Sequence, residues 1–80
     1  MEYTIELDPN TIVIEELISI IVDCKNDVKR FKQLAESNKI EEYQKEDLIY
    51  SRTLLKASQF LLKYYITYED QVGKYAEYLD

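Results

Sequence analysis

Seven apolar residues between positions 14 and 35 recur at alternating steps of three and four: Ile14, Leu17, Ile21, Cys24, Val28, Phe31 and Ala35. That rhythm is the heptad seam of an α-helix, which keeps one stripe turned toward a partner helix. A long helix with such a stripe is not stable alone in water, so another part of the chain, or another chain, must cover it. The question of cover organises the reading of all 80 residues.

Composition narrows the answer to helices. Apolar residues make up 46% of the chain, enough for a core. One Gly and one Pro cannot supply the frequent turns of a β-sandwich or barrel. The fold class expected is all-α: an antiparallel hairpin of two long helices, with a helical C-terminal tail and a short extended N-terminal arm. It forms a single domain over residues 1–80, with the arm at 1–8, helices at 9–36 and 39–66, and a tail or third helix at 67–79.

The punctuation supports those limits. Tyr3, Ile5 and Leu7 alternate with Glu2, Thr4 and Glu6, a period-two signal for a short strand or an arm laid along the helices. Asp8 followed by Pro9 reads as an N-cap and a first helical residue, where the missing N–H does no harm. The polar break Ser37-Asn38-Lys39 reads as a tight turn, with Asn38 and Glu41 as a capping-box pair for the second helix. Thr67 and Asp70 form another such pair, which predicts a bend near residues 66–68.

The second helix offers a matching seam at Ile40, Tyr43, Asp47, Tyr50, Leu54, Ala57, Leu61, Tyr64 and Tyr68. Folding the chain back at the turn sets Cys24 opposite Tyr50 and Ile21 opposite Leu54, with Asp47 near Val28 as the one misfit. Charge favours the same antiparallel pairing. Residues 25–39 sum to +3 beside −3 for residues 40–47, and residues 9–24 sum to −3 opposite +3 for residues 48–66. Leu48, Leu55 and Leu62 form a further row spaced by seven. Such a row needs cover from the tail or from a second subunit, so it is the expected oligomer interface of a C2 homodimer.

Little chemistry is on offer. The chain has no His, which removes His-based acid–base and nucleophile systems and most zinc and di-iron sites. The single Gly excludes phosphate-binding glycine loops. The lone Cys24 forms no disulfide framework and reads as a buried, inert thiol. Acidic clusters such as Glu15/Glu16 and Glu41/Glu42/Glu46/Asp47 read as solvated helix faces. No catalytic activity, metal, cofactor or small-molecule substrate is therefore expected.

A net charge of −6 disfavours direct binding to nucleic acid or to anionic membranes. No stretch is apolar and long enough to span a bilayer. Glu2 stands where a secretory leader would carry basic residues, so the cytosol is the expected location. The bias to Ile, Lys, Glu and Tyr suits an AT-rich genome, such as that of a low-GC bacterium or its phage.

The eight tyrosines are the informative residues. Tyr65, Tyr68, Tyr75 and Tyr78 gather near the C-terminus with Glu69 and Asp70. Tyr suits interfaces because its ring is apolar and its tip polar. These six residues are the expected docking surface for a protein with a basic face. The function expected is a small acidic helical module that binds and modulates, in the first instance inhibits, a larger protein. Two alternatives are a nucleic-acid-mimicking inhibitor, phage-encoded in that reading, and a purely structural helical oligomer.

Overall fold

A computed structural model describes residues 8–80; the alternating arm at residues 2–7 lies outside the described residues. Two long helices, α1 (Pro9–Glu36) and α2 (Glu42–Tyr65), lie against each other. Two short ones, α3 (Tyr68–Val72) and α4 (Ala76–Leu79), follow. Among the described residues there is no strand.

α1 starts where the sequence places it. The Asp8 carboxylate accepts from the Asn10 N–H at 3.0 Å, and Pro9 occupies the first turn. This satisfies one of the amide donors that a helix start leaves unpaired. Leu17, Ile21, Cys24 and Phe31 of the heptad seam are buried, Ile14 and Val28 are half-buried, and Ala35 is exposed near the helix end.

The turn differs from its expected form. Asn38 does not cap the second helix; it adopts the left-handed conformation, φ 57°, and terminates the first. The Lys39 N–H then reaches the Leu34 carbonyl at 2.9 Å, closing the last turn of α1. Ser37 adds its hydroxyl to the Gln33 and Leu34 carbonyls, both at 3.1 Å. The cap of α2 is Glu41, whose N–H donates to the Gln44 side-chain oxygen at 2.9 Å. The second helix therefore begins at Glu42 rather than 39.

The larger correction concerns which face of α2 meets α1. Ser51, Ser58 and Leu62 are buried, and Gln44, Leu48 and Leu55 are half-buried. Their steps are four and three, as in the tyrosine seam, but one residue further along. One residue turns a helix by about 100°, so Tyr43, Tyr50, Ala57, Leu61 and Tyr64 come out exposed. The core cluster joins Leu17 and Ile21 of α1 to Leu62 of α2. Leu62 and Ile21 both have 0% exposure. Each such side chain contributes roughly 1.5–3 kcal/mol by leaving water.

Ser51 and Ser58 are small, and a small side chain on the shared face lets two helix backbones approach closely. No buried side-chain nitrogen or oxygen among the described residues lacks a hydrogen-bond partner. Ser58 is 3% exposed, so there is no room for a larger group. Ser58→Leu is expected to lower stability by about 1–3 kcal/mol through overpacking, despite adding an apolar side chain. Urea unfolding followed by circular dichroism measures it.

The chain turns back after α2. Ile66 is extended, and the Thr67 hydroxyl accepts from the Asp70 N–H at 3.2 Å, capping α3. Gly73 ends that helix; a Cβ there would sit 3.0 Å from the Glu69 carbonyl oxygen. α4 then returns to α1. Tyr78 and Leu79 pack on the core cluster. The Lys25 ammonium donates to the Glu77 carbonyl at 2.6 Å, and the Gln59 amide donates to the Tyr78 and Asp80 carbonyls at 2.9 and 3.2 Å. The tail thus closes one side of the hairpin.

Candidate functional site

The six tail residues expected to bind a partner divide into two groups. Tyr68 is 75% exposed, Tyr65 and Glu69 are also exposed, and Val72 joins them at the corner between α2 and α3. Asp70 is half-buried, and its backbone carbonyl accepts from the Tyr75 N–H at 2.8 Å. Tyr75 and Tyr78 are half-buried, with ring centroids 6.3 Å apart, and Tyr78 packs against the core. A hydrogen bond to Glu77, with that residue's charge, holds the Tyr78 phenol above its ordinary pKa. Tyr75 and Tyr78 therefore serve the return of the tail, which leaves Tyr65, Tyr68, Glu69 and Val72 as the open surface at this end.

The leucine row is likewise internal. Leu62 lies fully within the hairpin core, Leu55 packs against it, and Leu48 is half-buried on the same face. The exposed face of α2 is the opposite one. Tyr50 is 67% and Tyr64 72% exposed there, and Tyr43, Ile49 and Phe60 are similarly open. Phe60 and Tyr64 meet edge to face with centroids 5.4 Å apart. The sequence held one signal against its own pairing. Asp47 was the single charged residue in the tyrosine seam, and it is exposed here. The face that α1 covers carries no charge at 44, 48, 51, 55, 58 or 62.

Cys24 is buried and unpaired. Burial pushes its thiol above the usual pKa, and the charges of Asp27 and then Asp23 add to the shift. A thiol kept protonated and covered is a poor nucleophile. Two open grooves flank α1. One, of about 540 Å³, is lined by Lys25, Lys29, Lys32, Leu55 and Asp80 among others. The other, of about 380 Å³, runs between α1 and α2 beside Cys24, Phe31, Tyr50 and Ser51.

Among the described residues, no group of three or more His, Cys, Asp or Glu is placed to hold a metal ion. No described helix is long and apolar enough to cross a membrane. The two ion pairs among them, Arg30–Asp27 at 3.4 Å and Lys45–Glu42 at 3.3 Å, each lie within one helix. The segmental charge match between α1 and α2 therefore acts as a diffuse field rather than through paired side chains.

No protein-family description matches the chain, and no curated protein or solved structure matches it.

Proposed function

We propose that the protein is a non-enzymatic helical interaction module. It docks on a larger protein with a basic surface and inhibits or otherwise modulates it. The observation that carries this reading is the α2–α3 corner, where Tyr65, Tyr68 and Val72 are exposed beside Glu69. An apolar ring with a polar tip, with a carboxylate beside it, suits the centre of a protein–protein contact. The net charge of −6 steers such a surface toward basic partners.

The double variant Tyr68→Ala/Glu69→Lys tests the reading. Both side chains are exposed, so the melting temperature is expected to stay within a few degrees of the native protein. Affinity-tagged native protein should retain a partner from the native host's lysate, and the variant should retain at least about tenfold less, the loss of one interface anchor. A partner held equally by both proteins would sink this placement. Retention that falls steeply with salt and yields to added DNA would favour the nucleic-acid-mimicking alternative.

A further inference from the structure

α2 meets α1 along one face only. Its other side carries Tyr43, Tyr50, Ala57 and Tyr64, four exposed residues spaced by seven, with Phe60 and Leu61 beside them. We propose that this face is an interface with a second copy of the chain. The two α2 helices run antiparallel about a two-fold axis between Thr53 and Leu54.

Charge selects this occupant and this direction. All three acidic residues of α2, Glu42, Glu46 and Asp47, fall at its start. Within α2 every charge from position 48 onward, Arg52, Lys56 and Lys63, is basic, and Lys45 is the one base at the start. An antiparallel copy lays the acidic start of one helix beside Lys63 of the other at both ends of the contact, with Arg52 and Lys56 near the axis. A parallel copy would set acid on acid and base on base.

Shape points the same way. A two-fold contact must be self-complementary. About the proposed axis, Tyr43 of one copy meets Tyr64 of the other, and Tyr50 meets Ala57. The bulky Tyr50 ring therefore lies over the smallest side chain of the row. The interface leaves Leu48, Leu55 and Leu62 inside each hairpin and does not use the α2–α3 corner. It is thus independent of the partner-binding reading above, and the two corners end up at opposite ends of the pair.

Sedimentation equilibrium of the full chain, over the micromolar range, should give twice the chain mass. Tyr50→Glu should weaken that association on the order of a hundredfold, because each substitution occurs twice in a symmetric contact. Its far-UV circular dichroism should be unchanged, since Tyr50 is exposed in the single chain. Disulfide coupling reads the direction. Copies of Thr53→Cys should couple with themselves. Tyr43→Cys and Tyr64→Cys should not, because antiparallel packing holds identical thiols about 30 Å apart. An equimolar mixture of those two should couple, with the native protein and its buried Cys24 as the uncoupled control. A monomer throughout, a dimer indifferent to Tyr50→Glu, self-coupling of Tyr43→Cys, or a mixture that fails to couple would each overturn the proposal.

Discussion

Ile21→Asp is expected to abolish the folded state, read as loss of the far-UV helix signal at room temperature. Ile21 is fully buried in the cluster that joins α1 to α2, and Val13, Ile14, Ile18 and Leu55 pack against that cluster. The substitution removes apolar contact and places a carboxyl in the apolar core. Either the carboxylate stays charged in a medium that solvates it poorly, or it takes up a proton and still lacks partners. A loss of about 3–5 kcal/mol follows from such a change. A hairpin of this size has about that much stability in total.

Leu62→Ala and Leu61→Ala form the second expected result, and their contrast matters more than either alone. The residues are adjacent and chemically identical, yet Leu62 is fully buried while Leu61 lies on the exposed side. Leu62→Ala should cost about 2–5 kcal/mol, combining lost burial with the cavity left behind. Leu61→Ala should change the single chain's stability by less than about 1 kcal/mol. Urea denaturation at low protein concentration gives both values free of self-association. The pairing through Tyr50, Leu54 and Leu61 that the sequence suggested predicts the reverse order.

The reason the sequence misplaces that face lies in two serines. Helix α1 is legible from both ends because Asp8-Pro9 has one sensible reading and its seam is unbroken. Helix α2 carries two stripes of the same rhythm one residue apart, and the tyrosine stripe is the more apolar by count. Ser51 and Ser58 score as polar, but on a helix contact their small size favours them. Periodicity measures hydrophobicity and does not measure how closely backbones can approach. Asn38 shows a different ambiguity. Asn suits both the start of a helix and its left-handed stop, and only the backbone conformation decides between them.

The candidate site was legible in part for similar reasons. The break after α2 is signalled by Thr67 and Asp70, a local pair. The return of the tail depends on distant partners, Lys25 to Glu77 and Gln59 to Tyr78, which no local pattern announces. That return half-buries Tyr75 and Tyr78 and leaves Tyr65, Tyr68 and Glu69 exposed.

The orientation of α2 decides which of its faces is open, and thiol labelling tests it most directly. The comparison is between Ala57→Cys and Ser58→Cys in a Tyr50→Glu background at low protein concentration, with the native Cys24 as a buried reference. The cysteine at position 57 should react at close to the rate of an unfolded chain. The cysteine at position 58 should react as slowly as Cys24, limited by opening of the hairpin. Rapid labelling at 58 with protection at 57 would mean that the tyrosine face is the one against α1, and the account would fail.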